Sequence, residues 1–363
     1  MDEALKLESE KLARSWLQHE PAKLRDYLVA GVEDPRINVQ SIFSRHFLIR
    51  AIFDQNFSAL MDEELRFAAV MNWLTALAAN SDSEELHAVL HALQRGADNA
   101  EGLQIPRFIL STFTSLPLSL GPLEIPNYIE TFLNHAPLTP TLFPSDGERQ
   151  RVVPAKSAPA LDTFQNLWRQ TLAAESPPTP PLPVLEPACG SANDYRFLHS
   201  YGLTPFLDYT GLDLCHANIQ NARALFPDAH FDLGNAFELS APDRAFELSF
   251  VHDLFEHLSL GGLQVAVREL CRVTRRAICA NFFQMDEIPE HIVRPMDEYH
   301  WNLLSMDQIK KLFAAHGFSS QVIQIKSFLR QELRCDYTHN PNAYTFLLQR
   351  DASADIAKPM QTE

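Results

Sequence analysis

The chain is predicted to be an α/β protein in which an all-helical region precedes a mostly parallel sheet. From about residue 184 onward, short apolar runs alternate with segments of helical apolar spacing, as in strands joined by crossover helices. Up to about residue 135, apolar residues recur three and four positions apart, and prolines separate the segments. The 363 residues suffice for two domains of ordinary size.

The first half of the chain is predicted to contain five helices. They lie around Leu12, from Ile42 to Phe53, after the acidic residues at 62–64, over 86–93 and over 125–133. Residues 136–183 form a proline-rich linker with one amphipathic helix, from Leu161 to Leu172. Its end, 176–183, favours polyproline II and reads as a stiff spacer. The expected division is therefore 1–135 helical, 136–183 linker, 184–350 α/β and 351–363 a disordered tail.

The α/β region opens with the parts of a nucleotide-binding site. An apolar run ends at Glu186, and the small-residue turn Ala188–Ala192 and a helical pattern follow. A second apolar run ends in Asp213 and Leu214. A turn with little side-chain bulk lets the backbone approach a ligand, and a carboxylate after the next strand accepts hydrogen bonds from ribose hydroxyls.

These motifs resemble the class I S-adenosylmethionine-dependent methyltransferases. The family's first motif is an acid followed by Gly-x-Gly-x-Gly, whose glycine positions fall here on Ala188, Gly190 and Ala192; Cys189–Gly190 is a frequent variant. The resemblance covers about residues 184–350. It implies a Rossmann-like, mostly parallel seven-stranded sheet with helices on both faces, whose last two strands form an antiparallel edge pair. It also implies S-adenosylmethionine as the cofactor.

The resemblance also assigns the cofactor-binding residues. Asp213 corresponds to the ribose-binding acid, with N-capping of the next helix as a compatible second role, and Glu186 orders the turn and the amino-acid end of the cofactor. Asn235 meets adenine, or it is an ordinary turn asparagine, and His252 lies near the methionine part. The full expected set is Glu186, Ala188, Cys189, Gly190, Asp213, Leu214, Asn235, Ala236 and His252. A dinucleotide site ranks below this interpretation, since Gly-x-Gly-x-x-Gly is missing.

Catalytic candidates follow the fourth and fifth strands. His257 is the leading general base, because an imidazole suits removal of a phenol or acid proton; the alternative is a histidine that packs the following turn. Tyr299 and His300 lie in an aromatic segment, Met285–Leu304, that covers the acceptor in this fold or else is a surface loop anchored by Trp301. No metal is expected, since Asp253 and its possible partners Asn281 and Asp286 are scattered.

The composition of the chain indicates which classes of partner and which cellular compartment to expect. The net charge is −16, and the densest basic group, Arg272, Arg275 and Arg276, lies at a helix end, where cations suit the dipole. Nucleic-acid binding is therefore not expected. The scattered cysteines, without a Cys-x-x-Cys pair, indicate reduced thiols. An acidic start and the lack of a long apolar run predict neither a signal peptide nor a membrane span, hence a cytoplasmic protein.

Three functions remain open from the sequence. The first is a methyltransferase for a small, apolar or aromatic acceptor, with the helical half closing the acceptor pocket or forming a homodimer. The second is a non-catalytic methyltransferase-like protein that serves binding or assembly, which the missing loop glycines favour. The third is a methyltransferase whose acceptor is a protein docked by the helical half.

Overall fold

The fold is taken from a computed structural model that describes residues 2–14, 34–54, 56–79, 162–333, 335, 338 and 340–351. The helices predicted over 86–93 and 125–133, and the tail predicted from 352 onward, lie outside these residues. In the described part of the chain, none of the helices has the length and apolarity that a membrane span requires.

Within the described residues, four helices precede the sheet. They are α1 (Glu3–Leu12), α2 (Val39–Phe53), α3 (Ser58–Ala79) and α4 (Thr163–Leu172). Side-chain caps set two of their starts: Asp2 accepts from the amide of Leu5, and Asn38 accepts from the amides of Gln40 and Ser41. The predicted helices at 42–53 and 161–172 are thereby confirmed to within three residues.

The rest of the chain alternates strand and helix. The strands are β1 (Leu182–Pro187), β2 (Leu207–Asp213), β3 (His230–Leu233), β4 (Phe246–His252), β5 (Thr274–Phe282), β6 (Met285–Asp286), β7 (Leu304–Ser305), β8 (Phe318–Gln324) and β9 (Tyr344–Arg350). The helices are α5 (Asn193–Ser200), α6 (His216–Leu225), α7 (Leu260–Val273), α8 (Met306–Ala315) and α9 (Ile325–Glu332). Single 3₁₀ turns lie at Thr204–Phe206 and Phe255–His257.

Seven strands form one sheet in the order β3-β2-β1-β4-β5-β9-β8. The first five pair in parallel, while β9 is antiparallel to both β5 and β8. The predicted mostly parallel seven-stranded sheet with an antiparallel edge pair is confirmed. Because β1, β2 and β4 are parallel, the turns after Pro187, Asp213 and His252 meet at one edge of the sheet.

Each face of the sheet buries its own apolar cluster, as side chains alternate along a strand. Val184 belongs to the cluster shared with α2–α6 and α9, whereas Leu185 belongs to the cluster shared with α1, α7 and α8. Helices from the first half of the chain therefore cover both faces. The sequence did not predict α9 or the short β6–β7 pair, since eight and two residues are too few for a clear period.

A buried ionic cluster joins the helices on the first face. The carboxylate of Glu64 in α3 accepts from Arg45 (3.0 Å), from Trp168 of α4 (2.7 Å) and from the ring of His46 (2.7 Å). Arg45 also lies over the ring of Tyr201, just after α5, 4.2 Å from its centroid. Four elements from both halves of the chain thus share one buried charge pair. The predicted domain boundaries remain a prediction.

Candidate cofactor and catalytic site

The turn between β1 and α5 has an unusual backbone. The dihedral φ is +60° at Ala188, +56° at Gly190 and +68° at Ala192. These are the three positions where the resembled family has glycine, and left-handed backbone is strained for any residue with a Cβ atom. The alanines therefore keep the glycine-type conformation of the loop at a cost in stability.

Replacing Ala192 by glycine is expected to stabilise the protein by about 0.5–1 kcal/mol. Relief of the left-handed strain, roughly 1–2 kcal/mol, exceeds the entropy that glycine adds to the unfolded chain. Urea unfolding measures the difference. Ala224→Gly in α6 is the control and should lose about 1 kcal/mol, because there the helix favours alanine. Destabilisation by Ala192→Gly would show that the methyl group contributes more by packing than it costs in strain.

Asp213, at the end of β2, holds this turn in place. Its Oδ2 accepts from the amide of Gly190 (2.9 Å), and its Oδ1 accepts from the amide of Cys215 (2.8 Å), just before α6. Cys215 is itself the N-cap residue of α6, which has no side-chain cap, so Asp213 does not fill the capping role considered from sequence. Burial raises the pKa of Asp213, and the three hydrogen bonds to the carboxylate, including one from Asn218, oppose that rise. A carboxylate accepts about four hydrogen bonds, so capacity for a ligand hydroxyl remains.

Glu186 lies buried below the turn, at the end of β1. Its Oε2 accepts from the hydroxyl of Tyr209 at 2.5 Å. Burial, with the nearby carboxylates of Asp194 and Asp213, raises its pKa well above the usual value. A Cβ at Gly211 would lie 2.8 Å from that hydroxyl and 2.7 Å from the ring of Phe231, so glycine is required beside the pair.

The turn offers main-chain and side-chain groups that fit the amino-acid end of S-adenosylmethionine. Asn193, the first residue of α5, has a buried Oδ1 for which the described part of the chain supplies no hydrogen-bond partner. A Cβ at Gly190 would lie 3.5 Å from this oxygen and 3.0 Å from Nδ2. An acceptor without a partner beside a bare glycine suits an ammonium group, and any larger residue at Gly190 would fill the space. Cys189 is buried with its thiol turned toward the position of Gly211.

The residues predicted to contact adenine, Asn235 and Ala236, lie after β3, and helix α1 packs beside them. Asn235 donates from Nδ2 to the hydroxyl of Ser9 (2.8 Å), and its Oδ1 accepts from the amide of Phe237 (2.9 Å). Ala236 lies in the turn between them. The carboxylate of Glu8 accepts from the amide and the hydroxyl of Ser259, the N-cap residue of α7, both at 2.6 Å. Helix α1 therefore lies against the residues that are predicted to contact adenine.

His252, at the end of β4, is held from both sides. Its Nδ1 lies 3.2 Å from Oδ2 of Asp194 in α5, and its Nε2 lies 2.6 Å from the hydroxyl of Ser44 in α2. That hydroxyl accepts from Nδ2 of Asn281 (2.8 Å), whose Oδ1 accepts from Thr345 (2.6 Å). This series of hydrogen bonds links α2 to the strands β4, β5 and β9. Both ring nitrogens of His252 have protein partners. A ligand would therefore contact the ring carbons, unless the hydrogen bond to Ser44 or the ion pair with Asp194 breaks.

The three predicted catalytic residues lie together. The Nδ1–H of His257 donates to the carbonyl of His300 (3.1 Å), and its ring packs against Tyr299, with 5.6 Å between centroids. Trp301 and Phe283 complete an aromatic enclosure, each 5.5 Å from the His257 ring. Burial lowers the pKa of His257. A neutral imidazole that donates from Nδ1 has its basic nitrogen at Nε2.

Glu256, beside this cluster, is a buried acid that sequence reasoning missed. Its Oε1 accepts from the amide of Phe283 (2.7 Å), while Oε2 has no hydrogen-bond partner among the described residues. Burial, together with the carboxylate of Asp253, raises its pKa to about 8. At neutral pH the side chain is mostly protonated.

The raised pKa makes stability fall as pH rises. The stabilising protonated state is fully present below the unfolded-state pKa near 4.5 and is lost as pH rises through about 8. Between pH 6 and pH 9 the ionisation of Glu256 should lower the free energy of unfolding of the wild type by about 3 kcal/mol, and Glu256→Gln should remove that slope. Urea unfolding at both pH values measures it. The control Glu298→Gln, an exposed acid, should leave the slope unchanged; equal slopes in all three proteins would disprove the shift.

Two further residues from the sequence analysis lie near the site segments. The ring of His291 accepts a hydrogen bond from the amide of Ser305. Leu214 lies in the bend that follows Asp213. Among the described residues, no cluster of three His, Cys, Asp or Glu side chains could hold a metal ion. Ser9, Ser44 and Asp194 contact predicted site residues but carried no sequence signal, because their partners are between 58 and 226 positions away.

Residues 184–277 match the methyltransferase domain family. No curated protein matches the chain in sequence.

Similar solved structures include a S-adenosylmethionine-dependent methyltransferase from Methanosarcina mazei, 13% identical with a TM-score of 0.37, covering 47% of this chain and 93% of that one. One from Mesorhizobium loti is 14% identical, with a TM-score of 0.36 and coverage of 50% and 96%. The 1,6-didemethyltoxoflavin-N1-methyltransferase of Burkholderia thailandensis is 14% identical, with a TM-score of 0.35 and coverage of 52% and 78%. From the family match and the strand order, the C-terminal half of this chain is a class I S-adenosylmethionine-dependent methyltransferase domain.

Proposed function

We propose that the protein is a S-adenosylmethionine-dependent methyltransferase for a small, apolar or aromatic acceptor. The observation that carries the proposal is the bond between the amide of Gly190 and the carboxylate of Asp213, which fixes the turn after β1 beside the acid after β2. Nucleoside sites in parallel sheets are built at this edge, from these two turns. The cofactor, when bound, supplies an electrophilic methyl group on a sulfonium.

Different residues of the turns would bind different parts of the cofactor. The backbone of Ala188, Cys189 and Gly190 and the buried Glu186 order the amino-acid end, where Asn193 offers its buried Oδ1, which has no partner in the described ranges. Asp213 accepts from the ribose hydroxyls, with Leu214 alongside. Asn235 and Ala236 line the adenine side, and His252 lines the methionine side.

For catalysis we assign His257 as the base that removes the acceptor's proton, with Tyr299 and His300 beside it. Its lowered pKa keeps the imidazole neutral at pH 7, which is the form that accepts a proton. The aromatic rings of Tyr299, Trp301 and Phe283 support a flat or apolar acceptor near this base. We also propose that the protein is cytoplasmic and that it forms a homodimer through the helical half. The proposed domain boundaries lie at residues 135 and 183.

One observation favours a second candidate, a methyltransferase-like protein that binds partners without turnover. Two of the three glycine positions of the loop carry alanine. The extra methyl groups narrow the approach to the backbone. Against this, both alanines keep left-handed φ, so the loop retains the shape that glycine would give it. A methyltransferase with a protein acceptor is the third candidate.

Calorimetric titration of the full chain with S-adenosylmethionine, S-adenosylhomocysteine and NAD tests the proposal. We expect micromolar binding of the first two and none of NAD, followed by release of S-adenosylhomocysteine when a panel of small phenols, acids and amines is added. Binding without turnover on any small or protein acceptor would favour the non-catalytic candidate. Failure of both sulfur nucleosides to bind would overturn the proposal.

A further inference from the structure

Helix α2 is fixed across the edge of the sheet where the nucleotide turns meet. In its first turn, Nε2 of Gln40 donates to the carbonyl of Phe282 at the end of β5 (3.0 Å) and to the carbonyl of Tyr344 at the start of β9 (2.9 Å). Since β9 is antiparallel to β5, these two carbonyls lie at the same edge. One turn later the helix brings Ser44, a buried residue, to this edge.

The hydroxyl of Ser44 is bonded to two strands of the sheet. A serine inside a helix commonly donates to the carbonyl four residues earlier, which here belongs to Gln40. Nδ2 of Asn281 in β5 lies 3.5 Å from that carbonyl and 2.8 Å from the hydroxyl of Ser44. The same hydroxyl lies 2.6 Å from Nε2 of His252, the last residue of β4. A buried helix serine thus joins the ring that ends β4 to the strand beside it.

The orientation of the Asn281 amide determines which group donates in this series. Its Oδ1 accepts from the hydroxyl of Thr345 (2.6 Å). Its other end faces the carbonyl of Gln40, which can only accept, so Nδ2 is the atom that points to α2. Ser44 therefore accepts from Asn281 and keeps its own proton for donation to another group.

The proton of the Ser44 hydroxyl has two acceptors within reach. Sγ of Cys279, at 3.5 Å, is a weak acceptor, whereas Nε2 of His252, at 2.6 Å, is a strong one. On the other side of the ring, Nδ1 lies 3.2 Å from Oδ2 of Asp194. An unprotonated Nδ1 would place its lone pair against that carboxylate, so the ring proton belongs on Nδ1. Both partners therefore select the same tautomer, with the lone pair of Nε2 directed toward α2.

We propose that Ser44 is a positioning residue of the methyl-transfer site, which holds the imidazole of His252 in the Nδ1–H tautomer and fixes its orientation. The inference rests on the proposed function, in which His252 lines the methionine side of the cofactor. A ring bonded at both nitrogens presents the same edge to a ligand before and after binding, which lowers the entropy cost of binding. Helix α2 thereby contributes a side chain to the site as well as packing against the sheet.

The ¹⁵N resonances of the imidazole test the tautomer in the full chain without ligand. The protein is labelled with ¹⁵N-histidine and measured at pH 9, where histidine side chains are ordinarily neutral, and His252→Gln identifies the signal. In the wild type we expect a protonated Nδ1 and an unprotonated Nε2 that accepts a hydrogen bond. In Ser44→Ala, the Nε2 resonance should move toward that of an imidazole nitrogen without a hydrogen bond. A protonated Nε2 in the wild type, or unchanged resonances in Ser44→Ala, would overturn the proposal.

Calorimetric titration with S-adenosylhomocysteine tests the consequence for the site. Ser44→Ala should bind at least about threefold more weakly, because a ring without its second partner samples further orientations before binding. Ser44→Cys keeps a side chain of similar size but donates only weakly, so it should behave like Ser44→Ala even if the smaller residue disturbs folding.

Ser249→Ala is the matched control. It removes an equally short buried hydroxyl bond, 2.6 Å to Thr274, from the same strand as His252. The control should change neither the His252 resonances nor the affinity, and an equal loss of affinity in Ser249→Ala would assign the effect of Ser44 to general stability and overturn the proposal. Failure of the wild type to bind S-adenosylhomocysteine would count against the proposed function alone, since the resonances of the ligand-free protein decide the role of Ser44 separately.

Discussion

Replacing Glu64 by alanine is expected to destabilise the protein by about 3–5 kcal/mol. The change removes the partner of a buried cation, and an uncompensated buried charge costs this much. Arg45 would keep its charge inside the core, and the indole N–H of Trp168 and the ring of His46 would lose their acceptor. Urea unfolding at pH 7, followed by tryptophan fluorescence, measures the loss.

The neighbouring Glu63 gives a matched control. It lies on the exposed side of the same helix, and Glu63→Ala should change stability by less than about 0.5 kcal/mol. Similar losses for both variants would show that the buried cluster contributes no more than a surface acid. Because α2, α3 and α4 share an apolar core with the sheet, we expect one unfolding transition in the wild type rather than two.

The stability that Glu64 contributes depends on pH with a definite sign. Burial alone would raise the pKa of Glu64, but Arg45 and His46 more than offset burial and hold it at about 2. The folded-state pKa is depressed, so the contribution is present above the unfolded value near 4.5 and is lost as pH falls toward 2. The difference between wild type and Glu64→Gln should therefore persist from pH 7 to about pH 5 and shrink below it. A difference that grows on acidification would contradict this assignment.

The sequence predicts the sheet well because its signal is local. Each strand is a short apolar run that ends in a turn, and residues such as Glu186 and Asp213 mark the edge where the turns meet. The crossover rule then brings their carboxyl ends together without knowledge of any long-range contact.

Contacts between distant segments could not be predicted in the same way. Ser44 and His252 are 208 positions apart, and nothing in a buried helix serine indicates its partner. Ser9 and Asn235 are 226 positions apart. The raised pKa of Glu256 likewise depends on its burial and on the nearby carboxylate of Asp253, and this burial exists only in the folded chain. The periodicity of apolar residues predicts which face of a helix or strand is buried. It does not predict which other segment packs against that face.

Asp213→Ala is expected to weaken binding of S-adenosylhomocysteine at least tenfold, or about 1.4 kcal/mol. The variant loses the acceptor for the ribose hydroxyls, and it also frees the amides of Gly190 and Cys215 that shape the turn. Asp213→Asn keeps only one carboxamide oxygen as an acceptor, so its affinity should fall between the two. Calorimetry on the three proteins measures this order. Asp208→Ala, an exposed acid at the start of the same strand, should bind like the wild type.

A ligand that lacks the 2′-hydroxyl separates the two roles of Asp213. If the carboxylate contacts the ribose, the 2′-deoxy analogue of S-adenosylhomocysteine should bind the wild type more weakly than the parent compound, and Asp213→Ala should bind both nearly equally. If the carboxylate only organises the turn, removal of the hydroxyl should cost the same affinity in both proteins. The coupling between the two changes is therefore the decisive quantity, because a double-mutant cycle isolates the contact from the folding of the turn. A coupling below about 0.3 kcal/mol would leave Asp213 as a structural residue and move ribose recognition to another acceptor.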